Sequence, residues 1–238
     1  MGYQKWRDLL FVHWPVPVEV LRPLVPPELA IDTFEGTAWV GLVPFHMTGV
    51  RPAWSPPVPG VSTFHETNVR TYVHRDGRDP GVWFFSLDAA SSLAVRVARF
   101  WWHLPYFRSR MRVQRRGWRI AYEGRRLWPE PTGAGYRIES EIGEPLGTAR
   151  SNDAADADNA ATLDFFLVER YLLYARDRNG SLWRGQVHHA PYPLRAARLE
   201  AFNETMLAAA RIAPPGPPAH LLFSEGVDVE IFRLRRAD

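Results

Sequence analysis

The chain has 238 residues, of which 46% are hydrophobic and 13% aromatic, so it can bury a sizeable core. Its 29 basic and 26 acidic residues give a formal net charge of +3, and the absence of cysteine excludes disulfides, thiolate metal sites and a cysteine nucleophile. No apolar run approaches the ~20 residues that span a bilayer, and the first residues do not form a signal-peptide pattern. We therefore expect one domain over residues 1–238, located in the cytoplasm and not associated with a membrane.

Short strands separated by turns dominate the chain. Strands are predicted, in order, over 37–47, 62–74, 82–87, 110–114, 118–124, 136–142, 171–176, 182–188, 220–223 and 227–234. Helices are predicted just after Pro17, from a Ser91 or Ser92 cap to Trp101, and over 199–212. Asn179-Gly180 is the strongest hairpin signal. The pattern predicts an α+β protein, mainly antiparallel, folded as two sheets or a barrel-like sandwich with few short helices.

One predicted strand carries a notable set of polar side chains. Because strand side chains alternate, one face presents, in order, Phe64, Glu66, Asn68, Arg70 and Tyr72. Such a face is either the wall of a polar pocket or a solvated sheet surface. The residue types by themselves favour the solvated surface, since charged residues are mostly exposed.

Several sequence blocks resemble the YqjF-like family of uncharacterised bacterial proteins, in the acetoacetate decarboxylase-like superfamily. The blocks are Trp6-Arg7-Asp8, Phe64 to Val73, Phe85 to Ala89, Leu104-Pro105-Tyr106, Phe166-Leu167 and His189 to Leu194. They cover nearly the whole chain, and the segment from Arg7 to Asp32 also resembles the start of acetoacetate decarboxylases. The resemblance implies the acetoacetate decarboxylase-like fold, a mainly antiparallel double-sheet or barrel-like domain. It also shifts the preference at Glu66 from a solvated surface to a pocket.

The resemblance also points to a missing nucleophile. In the decarboxylases a buried lysine forms a Schiff base with a β-keto acid, which requires an amine whose pKa is lowered by desolvation and a neighbouring cation. In the matching stretch, Tyr106 stands at the position of that lysine and Phe107 at that of its cationic neighbour. Lys5 is the only lysine of the chain and lies elsewhere. We therefore expect no Schiff-base decarboxylation.

The resemblance implies that other residues of the decarboxylase pocket have counterparts in this chain. The resemblance matches Arg7 to an active-site arginine of the decarboxylases that resembles a carboxylate clamp. It matches Glu66 to a decarboxylase glutamate near the reacting carbon. Tyr106 either acts as an acid or hydrogen-bond donor, or packs its ring in the core, and the sequence favours neither. We predict catalytic roles for Glu66 and Tyr106. We predict binding of a small carboxylate or carbonyl compound by Arg7, Asn68, Arg99 and His103.

Three functions remain open at this point. The first is non-covalent acid–base chemistry, such as enolisation or hydration, and the second is a non-catalytic binding or sensing protein. The third is nucleic-acid binding by the arginine-rich segment 108–126, which the near-balanced charge and the lack of a motif disfavour. No cofactor and no metal ion are expected, since no two histidines have helical i, i+4 spacing. A homodimer is expected from the resemblance only, and Asp153, Asp156 and Asp158 are predicted to lie in a surface loop.

Overall fold

The computed structural model describes residues 1–148, 162–213 and 216–237. The predicted acidic loop with Asp153, Asp156 and Asp158 lies outside these ranges. The first strands are β1 (Gly2–Val16), β2 (Ala30–Ile31), β3 (Thr33–Phe34), β4 (Thr37–Pro52), β5 (Phe64–Arg75), β6 (Arg78–Ala89) and β7 (Tyr106–Arg116). The later strands are β8 (Arg119–Trp128), β9 (Gly135–Thr148), β10 (Leu172–Arg176), β11 (Leu182–His188), β12 (Pro193–Glu204), β13 (His220–Ile231) and β14 (Arg235–Arg236).

Helices are short and few among the described residues. They are α1 (Val18–Leu21), followed by a 3-10 turn (Arg22–Leu24), α2 (Ser92–Trp101), α3 (Leu163–Val168) and α4 (Met206–Ala209). The Ser91 hydroxyl caps α2 by accepting a hydrogen bond from the Ala94 amide at 3.2 Å, which confirms the predicted serine cap.

Each predicted strand overlaps an observed one, although 220–223 and 227–234 belong to the single strand β13, which ends at Ile231, and one predicted helix is wrong. The segment 199–212 was expected to be helical, yet its first part belongs to β12, which pairs with β9 over most of its length. Only α4 remains helical there. The long antiparallel pairing supplies hydrogen bonds and packing that override the local preference of this alanine- and leucine-rich stretch for a helix.

The strand pairings close into two rings that share one wall. The wall is formed by β13, β1, β4, β5 and β6. Strands β7, β8, β9 and β12 close a nine-stranded ring on one side, while β10 and β11 close a seven-stranded ring on the other. The pairs β6–β7 and β6–β10 are parallel, and the other pairings of the two rings are antiparallel.

Each face of the shared wall carries its own hydrophobic core. One core includes Leu10, Val12 and Trp14 of β1 and packs against β8, β9 and α4. The other includes Leu9 and Phe11 of the same strand and packs against β11, α2 and α3. The alternation of β1 thus supplies both cores. The polar side chains of β5 lie on the second face, inside the seven-stranded ring.

Candidate functional site

The polar face of β5 is buried. Glu66, Asn68 and Arg70 are only 3%, 5% and 8% exposed. The flanking Phe64 and Tyr72 belong to the core inside the seven-stranded ring. The three polar side chains therefore form a buried polar wall, with neighbouring side chains about 6.5–7 Å apart along the strand.

Glu66 and Tyr106 form a hydrogen-bonded pair at one end of this wall. Tyr106 is the first residue of β7, and its hydroxyl donates to Glu66 Oε2 at 2.8 Å. Burial raises the pKa of the Glu66 carboxyl to about 8, although the hydrogen bond from Tyr106 opposes this shift. Burial and the neighbouring Glu66 raise the pKa of Tyr106 well above its usual value. At neutral pH the pair is therefore an uncharged acid with a transferable carboxyl proton.

Arg70 lies at the other end of the wall and has an unusual set of partners. Its Nη2 donates to the carbonyl oxygen of Leu167 in α3 at 2.9 Å. Its guanidinium also lies 5.7 Å from the ring centroids of Phe11 and Tyr72. Its Nε has no hydrogen-bond partner, and no carboxylate among the described residues forms a salt bridge with it. A buried cation without a counter-ion is costly, so this guanidinium is suited to binding an anion.

Other buried polar atoms on this side of the wall also lack partners among the described residues. They are Trp39 Nε1, Asn68 Oδ1 and His189 Nε2. His189 Nδ1 lies 2.8 Å from the Ala190 carbonyl oxygen, which makes Nδ1 the donor and leaves Nε2 as a free acceptor. Burial lowers the pKa of His189, and the charge of Arg70 lowers it further. The site thus offers both unused donors and unused acceptors to a ligand.

A chain of buried polar groups continues beyond Arg70. The Tyr72 hydroxyl lies 2.8 Å from both the Leu167 oxygen and His13 Nε2. His13 Nδ1 lies 3.3 Å from His220 Nδ1, and His220 Nε2 lies 2.7 Å from Asp164 at the start of α3. Burial lowers the pKa of His13 well below its usual value. These contacts fix α3, and with it the Leu167 carbonyl that holds Arg70.

Arg7 is not brought together with Glu66. The register pairs Arg7 with His46, which pairs with His65, so Arg7 lies on the opposite face of the wall from Glu66. Its guanidinium binds the Asp228 carboxylate and donates to the Val227 carbonyl at 2.7 Å. Arg7 as a carboxylate clamp therefore stays a prediction, and the geometry offers Arg70 for that role instead.

Arg99 and His103 lie in a groove away from this wall. They line a groove of about 700 Å³ together with Phe107 and Tyr174, and its lining residues do not include those of the buried wall. Arg99 still contacts the site indirectly, because its Nη1 donates to the backbone oxygen of Tyr106 at 2.7 Å. The ligand contacts of Arg99 and His103 stay predictions. Their position in this groove does not favour direct contact with a ligand bound at Glu66.

Several arginines of the segment 108–126 make structural contacts. Arg126 is buried and binds Asp88 through two hydrogen bonds of 2.9 and 2.8 Å, with its guanidinium 3.6 Å from the Phe107 ring centroid. Arg115 is held by Glu225 and Asp8. Tyr122 is fully buried, so two of the three interleaved aromatic rings are not free to stack on bases.

Within the described residues, no group of three or more His, Cys, Asp or Glu is placed to hold a metal ion. No helix in this part of the chain has the length and apolar character needed to cross a membrane.

A family model agrees with the sequence blocks described above. The model of DUF2071, described as an uncharacterized conserved protein, matches residues 3–228. The chain belongs to this family. It is also 39% identical over 233 residues to the uncharacterized protein YqjF of Bacillus subtilis (strain 168), which covers 98% of this chain and 91% of that protein. The predicted YqjF-like membership is thereby confirmed.

Solved structures confirm the fold. The enduracididine biosynthesis enzyme MppR complexed with pyruvate is similar with a TM-score of 0.64 and 12% identity, covering all of this chain and 91% of that one. The acetoacetate decarboxylase of Legionella pneumophila is similar with a TM-score of 0.60 and 10% identity, covering all of this chain and 88% of that one. At such low identity the likeness shows the fold alone, and it confirms the acetoacetate decarboxylase-like α+β fold.

The sequence reasoning missed several residues that the structure places in the site. Arg70 was recognised as sharing a face with Glu66 but was not given a ligand-binding role. His13 carried no signal of its own, and His189 was noted only as part of a family block, since both lie outside β5 and meet it only in three dimensions. The alternation of β5 was the one pattern that could have identified Arg70 as the cation beside Glu66.

Proposed function

We propose that the protein binds a small carboxylate or carbonyl compound at the buried wall of β5 and transforms it by non-covalent acid–base chemistry. The observation that carries the proposal is the Arg70 guanidinium, which is buried on the same face as Glu66 and has no carboxylate partner among the described residues. A ligand carboxylate would supply the missing counter-ion and accept the free Nε–H.

The proposed chemistry uses the other end of the wall. Glu66 holds its proton at neutral pH because its pKa is raised to about 8, so it can donate that proton to the carbonyl oxygen of a ligand. The carboxylate that this leaves can then take a proton from the adjacent carbon, which gives the enol. Tyr106 orients the carboxyl through its hydrogen bond. Glu66 and Arg70 are four residues apart on one face of β5, about 13 Å along the strand, with Asn68 between them. The ligand would therefore lie between the end of the long Arg70 side chain and the Glu66 carboxyl.

A Schiff base is not part of the proposal. The only lysine of the chain, Lys5, lies at the edge of β1, with Nζ 3.8 Å from Asp228 and its side chain 55% exposed. It therefore lacks the desolvation that makes an amine a nucleophile near neutral pH. Borohydride treatment in the presence of acetoacetate should give no covalent adduct, and an adduct on any residue would contradict this part of the proposal.

Pyruvate is a suitable probe because the structurally similar MppR is described as complexed with it. We expect pyruvate to raise the melting temperature of the wild-type protein. Arg70→Met keeps an unbranched apolar stem and removes the guanidinium, so it should abolish the shift. Arg7→Ala is the matched comparison, and it should leave the shift intact. A shift that is lost in Arg7→Ala but kept in Arg70→Met would show that Arg7, rather than Arg70, binds the ligand carboxylate.

Deuterium exchange distinguishes the enzyme from a binding protein. In D2O the protein should accelerate deuterium incorporation into the pyruvate methyl group, which proton NMR follows directly. Glu66→Gln and Tyr106→Phe should each slow the exchange by about 10²–10⁴-fold, the usual contribution of a positioned acid or base. Binding without accelerated exchange would favour the second candidate, a non-catalytic sensor of small acids.

A further inference from the structure

Helix α2 turns its large apolar side chains to solvent. Leu93, Val97, Phe100 and Trp101 are 54%, 46%, 75% and 71% exposed. Their helical spacing puts all four on one face. The opposite face packs on the protein through Val95 and small alanines. An amphipathic helix of a globular protein normally buries its large apolar residues, so this outer face is suited to contact with something else.

Arginines lie on α2 and on the neighbouring strand β7. From residue 89 to residue 122 the chain contains eight arginines and no acidic residue, although Arg115 and Arg119 form salt bridges with acidic residues from elsewhere in the chain. Arg96 lies on α2 itself and is exposed. Arg108 donates from Nε to Ser92 Oγ at 2.9 Å and so ties β7 to the first turn of the helix. Arg110 and Arg112 are exposed on β7, the strand that α2 contacts, and Glu123 of β8 is the cross-strand neighbour of Arg112.

We propose that the outer face of α2 docks onto an anionic lipid surface. Aromatic and aliphatic side chains on one face, flanked by arginines, are the composition of helices that lie in the bilayer interface. The apolar side chains would enter the boundary of the acyl chains, and the arginines would remain among anionic headgroups. This contact is peripheral and requires no membrane-spanning helix.

A second copy of the chain fits this face less well. A two-fold interface centred on α2 would bring each arginine of one copy close to the same arginines of the other, and like charges repel. The face is also small, since a ten-residue helix is about 15 Å long and standard interfaces bury about 800 Å² per partner. Charge complementarity and size therefore both favour an anionic surface.

Vesicle co-sedimentation tests the docking surface. Wild-type protein should bind vesicles of phosphatidylcholine mixed with phosphatidylglycerol, bind phosphatidylcholine alone weakly, and lose binding as salt screens the charges. The double variant Phe100→Ser/Trp101→Ser should bind about tenfold more weakly or worse. Arg96→Glu should weaken binding by about fivefold or more, from about 1 kcal/mol for each cation near the surface.

Matched controls separate this surface from general stickiness. Trp54→Ser removes a tryptophan that is 87% exposed between β4 and β5, and Arg211→Glu reverses an exposed charge after α4, which packs in the other core. Both should bind like wild type, and all variants should keep the wild-type melting temperature. The proposal fails if wild type does not sediment with anionic vesicles, or if the controls lose as much binding as the α2 variants. It also fails if wild type self-associates and Phe100→Ser/Trp101→Ser abolishes the association.

Discussion

The raised pKa of Glu66 makes a quantitative prediction about stability. In the unfolded chain this carboxyl titrates near 4.5, whereas in the folded protein its pKa is about 8. Between these values the folded state holds the proton and the unfolded state has lost it, so stability falls as pH rises through this window. At pH 7 the cost is at most about 3 kcal/mol, from 1.36 kcal/mol per pH unit over roughly 2.5 units.

Glu66→Gln removes this cost because an amide does not ionise. Its carbonyl oxygen can still accept the hydrogen bond that Tyr106 donates to Glu66. Relative to wild type, the variant should gain up to about 3 kcal/mol between pH 4.5 and pH 7. This corresponds to about 6–12 °C in melting temperature for a chain of this size.

Urea unfolding of both proteins from pH 4.5 to pH 8 measures the effect. All other titrating groups are shared, so their contributions cancel in the difference between the two proteins. Glu144→Gln changes an exposed glutamate of β9 and should show no such trend. A difference between Glu66→Gln and wild type that stays constant with pH would mean that Glu66 ionises normally, and the account of the site would be refuted.

Two further changes test the packing around the site. Asp88→Asn leaves Arg126 buried without its charged partner and should cost about 3–5 kcal/mol in urea unfolding, whereas Glu139→Gln at an exposed pair should cost less than about 1 kcal/mol. Similar losses for both would show that the buried pair is not special. Gly41→Ala would place its Cβ 2.9 Å from His13 Cδ2 and should cost about 1–3 kcal/mol. Adding His13→Ala should remove most of that strain, and strictly additive losses would argue against the close approach.

The polar face of β5 could be predicted from the sequence, but its burial could not. Alternation fixes which side chains share a face, and Glu66, Asn68 and Arg70 do share one. Whether that face meets solvent depends on β10, β11 and α3, which close the second ring over it. That closure depends on contacts between distant parts of the chain, which no local pattern reveals.

The position of Arg7 shows how a single irregular residue limits such reasoning. In a regular strand Arg7 would share a face with Leu9 and Phe11, which line the core inside the seven-stranded ring. The pairing of β1 with β4 shifts register after Arg7, where Asp8 adopts a positive φ of 50°. The extra residue turns Arg7 to the other face and leaves Trp6 on the side of the site. Nothing in the local sequence marks this bulge.

The central claim is that Arg70 binds a ligand carboxylate opposite the Glu66 acid. A crystal structure of the protein soaked with pyruvate tests it most directly. The account predicts the pyruvate carboxylate within hydrogen-bond distance of Arg70 Nε, with the carbonyl end of the molecule toward Glu66. Pyruvate bound at Arg7, or bound only in the groove beside Arg99, would contradict the claim. So would a structure that shows no pyruvate at a concentration that shifts the melting temperature.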